Sequence, residues 1–163
     1  VMTPRPASGS SITLPRGAAI GVLALACALA SCVQPVGPAR TAEDYELKAA
    51  DTAETVVSAV RTAQIAVDVA ARGRAFPPYV SVLLDDAEGD ANGAAATFGS
   101  IQPPGRESDH LRDELDELLV DATGTLATLR ITARRADLSA LPVLAEPLEG
   151  VASELEAFAE AHG

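Results

Sequence analysis

The sequence predicts an all-α protein, an up-down antiparallel four-helix bundle, and three observations favour that class. Alanine is abundant, whereas aromatic residues make up only 3% of the chain and Trp is absent; alanine is the strongest helix former and is depleted in strands. Four long stretches repeat apolar residues at the helical period of three or four positions. The links between these stretches are short, which makes consecutive helices antiparallel neighbours. The structural alternative is a three-helix bundle with a detached first helix.

The first predicted helix covers residues 41–72. It ends before Gly73, since glycine suits the left-handed position that follows many helices. The residues expected to face the core are Ala49, Ala53, Val56, Val60, Gln64, Val67 and Ala71.

The second predicted helix begins at Pro77 and Pro78, because proline is well tolerated in a first helical turn. Gly89 and Gly93 each cost about 0.8–1 kcal/mol inside a helix. We therefore expect this helix to be frayed or bent between residues 85 and 93. Its core-facing residues are expected to be Val80, Leu83, Ala87, Ala91, Ala94, Phe98 and Ile101, and Pro103, Pro104 and Gly105 stop it.

The third predicted helix is expected to have Ser108 as its N-cap. Acidic residues lie near its start and basic residues near its end, an order that complements the helix dipole by typically ~0.3–1 kcal/mol per well-placed charge. The acidic cluster is thus predicted to stabilise a surface helix. The core-facing residues are expected to be Leu111, Leu115, Leu118, Ala122, Leu126, Leu129, Ala133 and Ala136.

The fourth predicted helix covers residues 139–161. Pro147 lacks an amide hydrogen and clashes with the preceding turn, so we expect a kink or a late start there. The core-facing residues are expected to be Leu141, Leu144, Leu148, Val151, Leu155 and Phe158.

Residues 1–31 have the layout of a secretory signal peptide. Arg5 and Arg16 lie in a polar stretch, and an uncharged, mostly apolar run from Gly17 to Ala30 follows. A membrane-spanning helix needs about 20 apolar residues, and this run is interrupted before it reaches that length. We therefore expect a cleaved signal, and an uncleaved membrane span is the alternative interpretation.

The run ends in Leu29-Ala30-Ser31-Cys32, which resembles the lipobox of bacterial lipoproteins: a branched residue and two small ones before a cysteine. The resemblance covers only the first 32 residues. It implies that diacylglycerol is attached to the sulfur of Cys32, that cleavage falls between Ser31 and Cys32, and that lipid holds the protein on the extracytoplasmic face of the cell membrane. Residues 32–40 are then the lipidated cysteine and its tether, and residues 41–163 the bundle.

The other cysteine, Cys27, lies inside the apolar run. It is expected to leave with the signal peptide, and the mature chain then has neither a disulfide nor a free thiol. A Cys27–Cys32 disulfide is the alternative. A second lipobox ending at Cys27 fits poorly, because Leu25 and Ala26 precede the cysteine there.

The charge of the body excludes one class of partner. Two of the 12 basic residues precede Cys32, whereas all 23 acidic residues follow it, so residues 32–163 carry a net charge of −13. Binding to phosphate backbones needs clustered Lys and Arg. Nucleic acid is therefore not an expected partner.

The body offers little material for catalysis. It has no cysteine after Cys32, and its two histidines are His110 and His162. A nucleophile needs an adjacent base held by a third group, and no motif marks such a set. We expect no catalytic residue and no cofactor. Glu107 and His110 have the Glu-x-x-His spacing of di-iron bundles, but that spacing occurs only once.

One acidic stretch is a candidate for a weak cation site. Asp86, Glu88, Asp90 and Asn92 alternate in the manner of the oxygen ligands of a Ca²⁺ loop, although Gly99 stands where such a loop needs its bidentate Glu. The sequence thus predicts a non-enzymatic, lipid-anchored interaction or structural module that contacts another envelope protein. The alternative is a small-ligand or cation binder that uses the bundle interior or residues 85–93.

Overall fold

The computed structural model describes residues 39–163, and within that range the chain is helical with no strand. The helices are α1 (Ala42–Ala71), α2 (Pro77–Gly99), α3 (Arg106–Arg134), α4 (Leu141–Ala145) and α5 (Pro147–His162). α4 and α5 are separated only by Glu146, so they form the fourth helical segment. The prediction of an all-α chain with four helical segments is confirmed.

Local chemistry sets most of the helix boundaries. The Thr41 Oγ1 atom accepts a hydrogen bond of 3.0 Å from the amide of Asp44, which is an N-cap for α1. α2 begins at Pro77, as predicted. The fourth segment restarts at Pro147, which confirms the predicted effect of that proline.

The prediction that Ser108 caps α3 is wrong. Gly105 is the N-cap, and its carbonyl already accepts a hydrogen bond of 3.0 Å from the amide of Asp109. Ser108 therefore lies inside the first turn, where it is buried. The helix begins as soon as the chain leaves the two prolines before Gly105.

α1 and α3 end in the same way, with a residue in the left-handed region. The amide of Gly73 donates to the carbonyl of Ala70, and the amide of Arg74 donates to that of Val69. Ala136 and Asp137 repeat this pattern after α3. Both are Schellman motifs, and the predicted role of Gly73 is confirmed, whereas Ala136 belongs to a cap and not to the buried stripe.

These two caps predict opposite mutational effects. The φ angle is +65° at Gly73 and +59° at Ala136, and a left-handed conformation costs a residue with a Cβ about 1–2 kcal/mol. Gly73→Ala is expected to lower the free energy of unfolding by about 1 kcal/mol, since a Cβ there meets nothing and only the backbone is strained. Ala136→Gly is expected to raise it by about 0.5–1 kcal/mol. Urea unfolding followed by circular dichroism measures both, and two changes of the same sign would contradict this account.

α1 is the central element of the body. It packs against α2, α3, α4 and α5, and 11 of its side chains are buried. The alternative with a detached first helix is therefore wrong. Seven of those 11 side chains are alanine, which lets the neighbouring backbones approach closely: Ala49, Ala50, Ala53, Ala59, Ala63, Ala66 and Ala70.

The predicted core stripes hold with small shifts. Leu84 and Leu119 are buried, whereas their neighbours Leu83 and Leu118 are half-buried. The two leucines of each pair lie on either side of the centre of the apolar stripe. Helical periodicity alone therefore does not predict which of the two is more deeply buried. Ala71 is exposed and Ala70 is buried in its place.

α2 runs without interruption through Gly89 and Gly93. The predicted fraying between residues 85 and 93 is therefore not observed. Ala91 lies between the two glycines and Ala87 lies just before the first of them, and both alanines are buried. Their packing against the rest of the body offsets the low helix propensity of glycine.

Candidate functional site

The predicted lipidation and cleavage residues, Cys32 and Ser31, lie outside the described residues. The described chain begins at Ala39 and Arg40, directly before α1. The described chain therefore enters the body at the N-terminus of α1.

The structure does not bring together the four candidate cation ligands. On a continuous helix, residues two apart point in nearly opposite directions. Asp86 and Asp90 consequently lie on one side of α2, and Glu88 and Asn92 on another. The Asn92 side chain donates a hydrogen bond of 2.9 Å to the backbone carbonyl of Glu88.

The Glu88 carboxylate has a partner of its own. The Arg130 guanidinium of α3 donates to it through Nε and, at 3.3 Å, through Nη2. Asp85 lies 3.8 Å from the same Nε atom. The hydrogen bond to Glu88 raises the pKa of Arg130, against the opposing effect of burial. This ion pair joins α2 to α3 and uses the carboxylate that a cation site would need.

The two histidines do not form a metal centre with their neighbours. Glu107 and His110 are exposed on the first turns of α3. The His162 ring lies against the Phe158 ring at a tilt of 44°, with 4.6 Å between the ring centroids. Within residues 39–163 no three His, Cys, Asp or Glu side chains converge as metal ligands do.

A polar network on the surface joins α1 to α5. Arg61 Nη1 donates to Glu149 Oε2 at 2.6 Å, and Arg61 Nη2 donates to Glu156 Oε1 at 3.0 Å. Gln64 Nε2 donates to Glu149 at 2.9 Å. The hydrogen bonds from Gln64 and then Arg61 lower the pKa of Glu149. Gln64 is half-buried at the edge of the predicted stripe. Its side-chain amide binds the Glu149 carboxylate of α5 there.

A second network connects α1, α2 and α3 at the end of the body where the chain enters. Arg112 Nε donates to the Tyr45 hydroxyl at 3.1 Å, and Arg112 Nη2 donates to the carbonyl of Gly99 at 3.2 Å and to that of Ile101. Burial raises the pKa of the Tyr45 phenol, and the Arg112 hydrogen bond opposes that rise. Sequence periodicity gave no signal for this network, since Arg112 lies beside the stripe of α3 and not on it.

Two acidic grooves lie on the same half of the body. One, of about 360 Å³, runs between α3 and α5 and includes Glu117, Glu154 and Phe158. The other, of about 380 Å³, runs between α1 and α5 and includes Glu54 and Glu156. Both follow from the strongly negative charge of the chain.

The opposite end of the body is richer in arginine. α2 begins there and α3 ends there, and the two meet at a cleft of about 300 Å³ that includes Pro77, Ser81 and Arg134. We call residues 72–82 and 130–136 the Arg-aromatic end. It carries five arginines and no acidic residue: Arg72, Arg74, Arg130, Arg134 and Arg135.

Comparison of the chain with protein-family models, with curated proteins and with solved structures found no match. Among residues 39–163, no helix is both long and apolar enough to cross a membrane.

Proposed function

We propose that this protein is an exported bacterial lipoprotein whose helical body serves as a non-enzymatic interaction module at the cell envelope. The observation that carries the proposal is the sequence Leu29-Ala30-Ser31-Cys32 at the end of an uncharged apolar run. Lipid on Cys32 anchors the protein at the extracytoplasmic face of the membrane. One acyl chain binds a membrane only marginally, and the two chains of a diacylglyceryl group hold firmly.

We further propose that the four helical segments form an up-down antiparallel bundle. Contacts between α1 and α2, between α2 and α3, between α3 and α5, and between α5 and α1 support a closed ring of neighbours. Neighbouring ends support the alternating directions. Tyr45 at the start of α1 lies against Phe98 at the end of α2, with 5.1 Å between ring centroids, and Gly163 after α5 lies near Ala50.

The interaction role is supported by exposed apolar side chains at one end of the body. A monomeric soluble protein seldom exposes large clustered apolar groups without a binding role. The chain has only five aromatic residues, and Phe76 and Tyr79 are exposed near each other in sequence. An anchored module with such a surface is suited to hold a second envelope protein near the membrane.

Replacement of each cysteine tests the anchor. In cells fed an alkyne-labelled palmitate, Cys32→Ser is expected to abolish the lipid label and to leave residues 1–31 attached, because the thioether cannot form. Cys27→Ser is the matched control and is expected to be labelled and cleaved as the unaltered protein is. The readouts are label on the purified protein and its intact mass. A labelled Cys32→Ser protein of mature mass contradicts the proposal, as does loss of label in Cys27→Ser.

A further inference from the structure

We propose that the Arg-aromatic end is a docking surface for an acidic segment of another protein, a segment that also carries apolar side chains. This inference rests on the proposed function, since it names the surface through which the anchored body meets its partner. Three properties of this end carry it: exposed apolar groups, three arginines outside ion pairs, and a cleft between the start of α2 and the end of α3.

The apolar part of the surface lies at the start of α2. Phe76 is 82% exposed, Tyr79 58% and Val82 55%. Phe76 is the N-cap of α2, and Tyr79 and Val82 follow at intervals of three residues, so the three side chains occupy successive turns. Large aromatic groups are enriched at the energetic centres of protein interfaces. Their burial against a partner removes apolar area from water, which stabilises the complex.

The Arg-aromatic end is much less acidic than the rest of the body, although the exposed Asp137 directly follows it in the chain. Arg72 is paired with Asp68 and Arg130 with Glu88. Arg74, Arg134 and Arg135 are exposed and form no ion pair within residues 39–163. Outside the Arg-aromatic end, residues 39–163 carry five basic and 23 acidic residues.

This charge distribution selects both the partner and its position. An acidic segment is attracted to the three arginines and repelled by the acidic surface elsewhere. Attraction at one site combined with repulsion at acidic surfaces contributes to binding specificity. A basic partner is expected to prefer the acidic grooves at the other end of the body, where Phe76 and Tyr79 have no part.

Shape and charge number favour a protein segment over an anionic membrane. The cleft beside Pro77 and Arg134, of about 300 Å³, is concave and accepts a protruding side chain. Recognition of anionic lipid by basic residues usually needs clusters of four to eight Lys or Arg, and this end has three outside ion pairs. The end also lies about 45 Å along α1 from the residue where the tether enters, at 1.5 Å per helical residue.

Photo-crosslinking in intact cells tests the proposal with the full chain. A benzophenone amino acid replaces Tyr79 or Val82 in two variants, and Leu47 or Val120 in two control variants. Both control positions are exposed apolar residues on other parts of the surface. We expect one protein adduct that forms from positions 79 and 82 and not from 47 and 120. Mass spectrometry is expected to place the crosslink in a segment of the partner with a net negative charge.

Charge-reversal variants are the second part of the crosslinking experiment. Arg134→Glu combined with Arg135→Glu is expected to lower the adduct yield at least about ten-fold. Arg106→Glu, which reverses an exposed arginine at the opposite end, is the matched control and is expected to leave the yield unchanged. Phe76→Ser, with every arginine intact, is expected to reduce the yield as well, and it guards against a double variant that folds poorly.

Four results would overturn the proposal: an adduct with lipid, an adduct with a second copy of this chain, equal adducts from all four positions, or a yield that charge reversal leaves unchanged. Palmitate labelling of the same variants separates this proposal from the anchor. A variant that loses the adduct but keeps the label has a defect in the docking surface alone. Loss of the label in Cys32→Ser reports on the anchor alone.

Discussion

Phe98→Ala is expected to lower the free energy of unfolding by about 3–5 kcal/mol. Phe98 lies in the last turns of α2 and is fully buried, and its ring centroid is 5.1 Å from that of Tyr45. Such aromatic pairs contribute about 0.5–1.5 kcal/mol beyond the burial of their area. Much of the core of the body is alanine, whose side chain has no rotamers with which to fill a void. The cavity therefore persists, and the cost is expected to fall in the upper part of this range.

Urea unfolding measured by circular dichroism checks this prediction. Phe98→Leu is the matched control, since it keeps most of the volume and is expected to cost less than about 1.5 kcal/mol. Equal losses for the two variants would show that the aromatic pair, and not the cavity, determines the effect. A loss below about 1 kcal/mol for Phe98→Ala would contradict the proposed packing around α2.

Much of the fold was predictable because helix boundaries are local events. Gly73 ends α1 through its own backbone conformation, and Pro77 and Pro147 begin helices because their φ angles are already helical. The core stripes follow from the helical period. These signals act over four or five residues, which is the range that a sequence pattern covers.

The errors arose where contacts between helices decide the outcome. The two glycines of α2 predicted an interruption on propensity alone, yet Ala87 and Ala91 pack into the core and keep the helix intact. Likewise, Glu88 was interpreted as a cation ligand because its neighbours in sequence are acidic. Its partner is Arg130, which is 42 residues away, and no local pattern reveals a pairing at that distance.

The two candidate sites also differ in whether local sequence is enough to reveal them. The proposed anchor depends on four consecutive residues, Leu29 to Cys32, so the sequence was sufficient to suggest it. The Arg-aromatic end required the structure, because the sequence did not show how exposed Phe76 and Tyr79 are or that the end of α3 packs beside the start of α2. Arg134 and Arg135 lie at the C-terminus of α3, where their charge complements the helix dipole, and that role is compatible with a surface that also binds carboxylates.

Arg112→Ala is expected to lower the free energy of unfolding by about 2–3 kcal/mol, because hydrogen bonds to a charged group are lost and the buried Tyr45 side chain loses the partner of its hydroxyl. Arg112 is half-buried. It donates hydrogen bonds to the Tyr45 hydroxyl of α1, to the carbonyl of Gly99 at the end of α2, and to the carbonyl of Ile101 just after α2. Removal of its positive charge is also expected to raise the pKa of Tyr45 further, since burial already raises that pKa and only the arginine opposes it. An alkaline ultraviolet titration of the variant and of the unaltered protein measures this change.

Three further variants separate the role of Arg112 from that of charge alone. Arg112→Lys keeps the charge but not the planar fork of donors, so it is expected to recover only part of the lost stability. Arg106→Ala removes an exposed arginine of the same helix and is expected to change the free energy of unfolding by less than about 0.5 kcal/mol. In a double-mutant cycle with Tyr45→Phe, the two losses are expected to be less than additive, because both remove the same hydrogen bond. Full rescue by lysine, or strict additivity with Tyr45→Phe, would show that Arg112 stabilises the body in some way other than by joining its three long helices.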